Sequence, residues 1–205
     1  MVQYAEPSKT MFEYVKNDDG TYSITDIICG TVDHLIIPEG VVSIDRNTMS
    51  GNPPDAKKVT LPNTLKSIGP AVFCCFKLLK SISIPDSVEF IGDSAFQGCD
   101  ELESVKLPDS KLKIDFVAFS YCPKLTRITI PFYCYFVGFE TFRDCPNLQL
   151  VEFKNPYGWK KLGFDNQTYT HKKVLFSGVS SDTLGNARYA KTFLTNKKTF
   201  GLTKE

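Results

Sequence analysis

The chain has 205 residues, and its 24 Lys and Arg against 23 Asp and Glu give a formal net charge of +1. A balance this close to neutral excludes the strong positive field that draws a protein to nucleic acid or to an anionic membrane. The length is typical of one domain with a sizeable core. Since no apolar run of about 18 residues is present, the sequence predicts no transmembrane helix.

Residues 1–32 are predicted to form an N-terminal lead and a β-hairpin. The stretches 11–15 and 22–27 are rich in apolar and aromatic residues, and the segment Asn17-Asp18-Asp19-Gly20 between them is a strong turn signal. We expect this hairpin to cap the first of the repeats that follow, because the end of a repeat array exposes an apolar edge. Residues 1–7 lack the basic start and apolar core of a signal peptide.

An Ile-Pro or Leu-Pro pair recurs through residues 33–153. The five prolines are spaced by 24, 23, 23 and 23 residues: Pro38, Pro62, Pro85, Pro108 and Pro131. A fixed period of this length predicts a solenoid of about five coils. An apolar residue precedes each pair by two positions, so both apolar side chains point to one face of a strand that the proline then ends.

Two further positions keep the same register. Phenylalanine occupies the eleventh position after four of the prolines, at Phe73, Phe96, Phe119 and Phe142. Cysteine occupies the fourteenth position after three of them, at Cys99, Cys122 and Cys145. We expect an internal column of rings beside a row of buried thiols, within stacked parallel strands joined by short helical turns. In the fourth unit Lys111 falls at a core position with Leu112 beside it, which predicts a local bulge.

Residues 154–205 lose the period and are predicted to form a C-terminal cap. Trp159 is the single tryptophan, and Val174-Leu175-Phe176 has the composition of a strand. Ser181 and Asp182 are suitable caps for a helix with apolar residues at helical spacing as far as Leu194.

The third unit, residues 79–99, carries the clearest resemblance to a known family. It is similar to the BspA-like leucine-rich-repeat unit, which reads approximately L-x-x-I-x-I-P-x-S-V-x-x-I-G-x-x-A-F-x-x-C. The resemblance implies a right-handed, mostly β leucine-rich-repeat coil that is capped at both ends. It also implies a bacterial or protist surface protein engaged in adhesion or host contact, a step that rests on analogy because repeat scaffolds serve many partners.

No motif for catalysis, cofactor binding or metal binding stands out. The sequence lacks G-x-G-x-x-G, a P-loop, H-E-x-x-H, G-x-S-x-G and any C-x-x-C pair. Cys29 and His34 are close enough in sequence to suggest a Cys-His pair, but an inert buried thiol fits the apolar run around Cys29 better. Acidic residues that recur with the repeat fit turn chemistry better than a row of metal ligands. We therefore expect neither an enzyme nor a cofactor.

Two surfaces are candidates for partner binding. Outward-facing strand residues form a polar, mildly basic ribbon, which is either a solvated face or a recognition face. The fifth coil places aromatic residues where the repeat expects exposed positions, although a returning C-terminal segment with Trp159 and Phe164 would cover them equally well. The predicted contact residues are Phe132, Tyr133, Tyr135, Phe136, Phe139, Phe90, Lys106, Arg127 and Thr129, and Phe116 extends the aromatic set.

The sequence thus predicts a non-catalytic leucine-rich-repeat binding protein that takes part in protein–protein interaction or cell-surface adhesion. An intracellular scaffold and a carbohydrate-binding module are the alternatives. The expected partner is a protein, with carbohydrate as a second choice and nucleic acid excluded. A surface or secreted location follows from the resemblance alone, and a cytoplasmic one remains its alternative.

Overall fold

The computed structural model describes residues 4–28, 30, 32–46, 56–138 and 140–155, and the backbone of three strands at 159–163, 175–177 and 200–204. Sixteen β-strands and no helix lie in this described part of the chain. The strands wind into a β-solenoid of about five turns, as the proline period predicts. Each coil has three sides, which are a first strand, a second strand and a run of turns.

The N-terminal hairpin consists of β1 (Phe12–Lys16) and β2 (Tyr22–Ile27), which pair in antiparallel fashion. The turn between them closes through a 3.0 Å hydrogen bond from the N–H of Gly20 to the carbonyl of Asn17. Gly20 has a φ of 83°, a conformation that glycine adopts without steric cost. β2 also pairs in parallel with the second strand of the first coil, so the hairpin continues that sheet.

The first strands of the coils run parallel but form three separate sheets, with the orders β3-β5, β7-β9 and β11-β13-β15. The proline pairs follow these strands as the sequence predicts. Their bounds are β3 His34–Ile36, β5 Lys58–Thr60, β7 Ser81–Ser83, β9 Ser104–Lys106, β11 Arg127–Ile130, β13 Leu150–Phe153 and β15 Leu175–Ser177. The last of these includes part of the predicted strand near Val174.

The second strands join one continuous sheet with the order β1-β2-β4-β6-β8-β10-β12-β16-β14. From β2 to β12 its strands are parallel, and β16 then pairs with β12 in antiparallel fashion. The bounds are β4 Val41–Ile44, β6 Ser67–Ile68, β8 Phe90–Ile91, β10 Lys113–Ile114, β12 Phe136–Val137, β14 Trp159–Gly163 and β16 Phe200–Lys204. The predicted C-terminal helix, residues 181–194, lies outside the described residues, and the capping roles of both ends stay predictions.

The third side of the coils differs from the prediction. Short helical turns were expected there, but the structure has non-helical turns. Ser94 and Gly98 in the third coil have φ values of 56° and 69°, which a right-handed helix does not accommodate. Alternate N–H groups therefore point along the stack and donate to the next coil. These bonds join Ser94 to Phe116, Phe96 to Ala118 and Gly98 to Ser120 at 3.0, 2.8 and 2.9 Å. The turn side thus forms a third ladder of hydrogen bonds between coils, beside the two ladders of the strands.

The core runs through the stack as the Phe and Cys registers predict. Phe73, Phe96 and Phe119 are fully buried, and Phe142 is 3% exposed. The three thiols are free and buried, and each donates to the carbonyl of a phenylalanine 26 residues earlier: Cys99 to Phe73 at 3.2 Å, Cys122 to Phe96 at 3.3 Å and Cys145 to Phe119 at 3.1 Å. In the fourth coil Leu112 is buried, whereas Lys111 is exposed.

Candidate functional site

The predicted contact residues divide between two sides of the solenoid. Phe90 and Phe136 lie in β8 and β12 on the second strand side, and Phe132 and Tyr133 lie at the corner that precedes β12. Lys106, Arg127 and Thr129 lie instead in β9 and β11 on the first strand side. Phe139 is outside the described residues. We define the aromatic surface as Phe90, Phe116, Phe132, Tyr133, Tyr135 and Phe136, and the basic ribbon as the outward residues of the first strands.

The exposed part of the aromatic surface follows from the register of the fifth coil. Cys134 and Val137 fill the core positions of this coil and are 0% and 1% exposed, as expected from the repeat. Phe132 and Tyr133 are then directed to solvent, with 46% and 59% of their surface exposed. Their rings contact each other edge to face, with centroids 5.1 Å apart. Two large rings therefore form one exposed cluster.

A lysine links the rings on the second strands. Strand register places Lys113 between Phe90 and Phe136, and its Nζ is 5.2 Å from one ring centroid and 5.1 Å from the other. The same Nζ is 3.0 Å from Oδ2 of Asp115, so the cation is shared between two rings and a carboxylate. Lys113 was not among the predicted contact residues, although it is 23 residues from both phenylalanines in the sequence.

Further contacts join the neighbouring coils into the same surface. Nζ of Lys111 is 5.7 Å from the ring centroid of Tyr135, and the rings of Phe116 and Phe136 meet edge to face at 6.2 Å. β16 runs beside β12, where Phe136 is paired with Thr203. Part of the C-terminal segment thus reaches the edge of this side, but Phe132 and Tyr133 keep the exposure given above.

The basic ribbon carries cations that have no carboxylate partner in the described part of the chain. Within the described residues, Lys58, Lys106 and Arg127 are exposed and make no ion pair. Elsewhere on this side Thr129 donates to Oε2 of Glu152 at 3.1 Å. Nε2 of His34 lies 2.8 Å from the hydroxyl of Thr60.

The described residues give no arrangement for metal or Cys-His chemistry. No group of three or more His, Cys, Asp and Glu side chains in this part of the chain is placed to hold a metal ion. Cys29, whose closeness in sequence to His34 suggested a pair but whose apolar neighbours favoured an inert thiol, lies outside the described residues. Oδ1 of Asp86 accepts a hydrogen bond from the N–H of Asp109 at 3.0 Å, so this carboxylate links two successive coils and does not bond within its own turn.

One adjacent cysteine pair lies on the turn side. The Sγ atoms of Cys74 and Cys75 are 3.6 Å apart. Burial, followed by the hydrogen bond with Cys75, raises the pKa of the Cys74 thiol to about 12. Because the thiolate is the nucleophile, Cys74 is weakly reactive at neutral pH.

Parallel strands at a 23-residue period, with a column of rings and a row of thiols inside, define a β-solenoid repeat protein. The chain belongs to the BspA-type leucine-rich-repeat family, since the family model of the BspA type leucine rich repeat region matches six copies over residues 43–171. Scaffolds of this kind are generally non-catalytic and mediate protein interactions. No curated protein matches the chain significantly.

Solved structures resemble the fold. A leucine-rich repeat protein from Bacteroides ovatus is 28% identical with a TM-score of 0.60, and the match covers 72% of this chain and 41% of that one. A second, from Bacteroides capillosus, is 25% identical with a TM-score of 0.49 over 73% of this chain and 98% of that one. The T. pallidum leucine rich repeat protein is 24% identical with a TM-score of 0.46, covering 72% of this chain and 71% of that one. This chain therefore spans about two fifths of the Bacteroides ovatus protein.

The described residues contain no helix with the length and apolar character that crossing a bilayer requires.

Proposed function

We propose that this chain is a non-catalytic binding module for a protein partner, and that the exposed rings of the fifth coil are its main contact. The observation that carries this proposal is the paired exposure of Phe132 and Tyr133, at 46% and 59%. The equivalent positions of the third coil hold Asp86 and Ser87, so the repeat itself does not require aromatic residues there. Contiguous exposed apolar surface of this kind marks interaction sites.

The chemistry of the surrounding residues supports a protein partner. Tyrosine and phenylalanine bury much apolar area at a low cost in side-chain entropy, which makes them frequent anchors in protein interfaces. Lys111 and Lys113 lie against Tyr135 and Phe136, so the aromatic surface carries charged groups beside its rings. Apolar residues combined with polar ones are typical of a protein–protein contact.

A place at the cell surface and a role in adhesion are the finer part of the proposal, and family membership is what supports them. The β-solenoid is also suited to this role because its rigid stack presents several coils to one partner.

The test uses the whole chain with Phe132→Ser and Tyr133→Ser combined. Labelled wild-type protein is applied to a protein microarray and a glycan array, and hits are measured again by surface plasmon resonance. We expect saturable binding to at least one protein that the double variant weakens by about tenfold or more, since truncating anchor residues commonly costs 2 kcal/mol or more. The melting temperature should stay close to that of the wild type.

Val15→Ser is the matched control, because Val15 is 56% exposed on β1 of the hairpin, remote in sequence from the fifth coil. It should bind like the wild type. A large fall in the melting temperature of the double variant would place the rings in the core and contradict the proposal. Binding to glycans without binding to any protein would favour the carbohydrate-binding alternative.

A further inference from the structure

A groove opens on the basic ribbon where the first strand ladder is interrupted. β5 pairs with β3, and β7 pairs with β9, so β5 and β7 are neighbours that belong to different sheets. The groove has a volume of about 590 Å³ and lies along this break. A volume of this size is within the range of ligand sites in proteins. Its lining includes Lys58 and Thr60 of β5, Ser81 and Ser83 of β7, and Lys106 of β9.

The charged groups of the groove favour an anion. Lys58 and Lys106 make no ion pair with any described residue, whereas Lys57 beside them is 2.9 Å from Asp33. One carboxylate, Asp86, also lines the groove, but its Oδ1 accepts the hydrogen bond from the N–H of Asp109. Among the described residues, two ammonium groups without an ion pair thus line a groove that holds one partly engaged carboxylate.

Between the two lysines the floor is small and polar. The exposed residues Ser81 and Ser83 are hydroxyl donors and acceptors, and within the described part of the chain their hydroxyls make no hydrogen bond. None of the described residues that line the groove is aromatic, so they offer no stacking platform. The floor is therefore better suited to polar backbone groups than to flat rings.

The strand register sets the separation of the two cations. Ser83 pairs with Lys106, and Lys58 starts β5 at the position that Ser81 occupies in β7. The two lysines therefore lie at diagonal corners of the floor, on strands that are two coils apart. Two steps of the strand spacing, combined with two residues along the strand, amount to about 12 Å between the Cα atoms. An extended peptide covers this distance in about three to four residues.

We propose that this groove binds an extended acidic peptide segment of a partner protein, with two carboxylates about three residues apart that pair with Lys58 and Lys106. The hydroxyls of Ser81 and Ser83 contact the peptide groups between those carboxylates. Lysine suits this role because its flexible, compact charge reaches a carboxylate without fixed geometry. The groove is a separate surface from the aromatic one, so this assignment stands independently of the proposed function.

The experiment measures fluorescence anisotropy of the labelled peptide Glu-Ser-Ser-Glu against the full chain at low salt. The matched peptide Gln-Ser-Ser-Gln reports contacts other than charge. We expect saturable binding of the acidic peptide that falls by about tenfold in the Lys58→Gln, Lys106→Gln double variant, and that weakens as salt is raised. The variant Lys66→Gln, Lys77→Gln removes the same charge from exposed positions outside the groove and should bind like the wild type.

Four results would overturn the assignment. Equal loss in the Lys66→Gln, Lys77→Gln variant would mean attraction to overall charge. Equal affinity for the glutamine peptide, or no binding of the acidic one, would show that the groove does not recognise carboxylates. Tighter binding of a sulfated oligosaccharide that displaces the peptide would assign the groove to a sugar. The Phe132→Ser, Tyr133→Ser variant should retain peptide binding, which separates this result from the test of the aromatic surface.

Discussion

The rings of Phe96 and Phe119 stack with centroids 5.2 Å apart and planes inclined by 3°. These two residues occupy the same repeat position in successive coils. Their nearly parallel rings show that the two coils have nearly the same conformation at this position. The column continues to Phe73 at 5.2 Å and to Phe142 at 6.1 Å. Truncating a ring in the middle of this column leaves a cavity that neither neighbouring coil can fill without losing its own register.

Phe96→Ala should therefore lower the free energy of unfolding by about 3–5 kcal/mol, the usual range for a buried phenylalanine. Urea denaturation followed by circular dichroism measures the change. Phe132→Ala removes the same atoms from a ring that is 46% exposed, and it should cost much less. Equal losses for the two variants, or a loss below about 1 kcal/mol for Phe96→Ala, would contradict a buried column.

The thiols should divide into two classes in alkylation experiments. Cys99, Cys122 and Cys145 are 0%, 0% and 9% exposed, and burial raises the pKa of Cys99. We expect these three to react with iodoacetamide only after denaturation, as measured by mass spectrometry of the labelled peptides. Rapid native labelling of all three would disprove the buried row.

Cys74 is partly exposed, and its alkylation rate in the same experiment should depend on pH. Its pKa of about 12 lies above that of a free thiol, so the thiolate fraction is small at neutral pH and grows with rising pH. Its alkylation rate should still increase by about tenfold per pH unit between about pH 8 and 9.5, where an ordinary thiol is levelling off. A plateau near pH 9 would mean an ordinary thiol.

Removing each of two buried hydroxyl groups should change the stability of the protein in different ways. Thr141 is fully buried and donates to the carbonyl of Gly138 at 2.6 Å. Ser120 is also fully buried, but its hydroxyl has no hydrogen-bond partner among the described residues. Thr141→Val should cost about 1–2 kcal/mol, and Ser120→Ala should be neutral or stabilising, because removing an unpaired buried hydroxyl relieves a desolvation penalty. Thermal and urea unfolding of both variants test this, and a larger loss for Ser120→Ala would contradict it.

The sequence predicted which residues face inward, because a 23-residue register places each apolar residue without knowledge of the backbone. Leu112 is buried in the core beside the exposed Lys111, whereas the local bulge expected there stays a prediction. The backbone of the turn side was not accessible in this way. Ser94 has a φ of 56° although it is not glycine, and the ladder to Phe116 that compensates this conformation depends on the neighbouring coil.

The candidate sites were predictable to a smaller extent. The exposure of Phe132 and Tyr133 followed from the two core positions of the fifth coil. The position of Lys113 between two rings depends on strand register, and the break between β5 and β7 depends on hydrogen bonds that a repeat pattern does not specify. Register between coils, more than residue type, therefore limits what the sequence predicts about function.

The ladder on the turn side also gives the solenoid a net dipole along its stacking axis. In the third coil the N–H groups of Ser94, Phe96 and Gly98 all donate toward the C-terminal end of the stack. Peptide dipoles aligned in this way add from coil to coil, as they do along an α-helix, and leave the C-terminal end positive. There the fifth coil has Glu140 and Asp144 at the positions of Ser94 and Gly98, and Arg143 pairs with both at 2.9 and 3.2 Å. This group keeps one carboxylate charge in excess, which opposes the positive pole of a macrodipole that runs across the chain instead of along it.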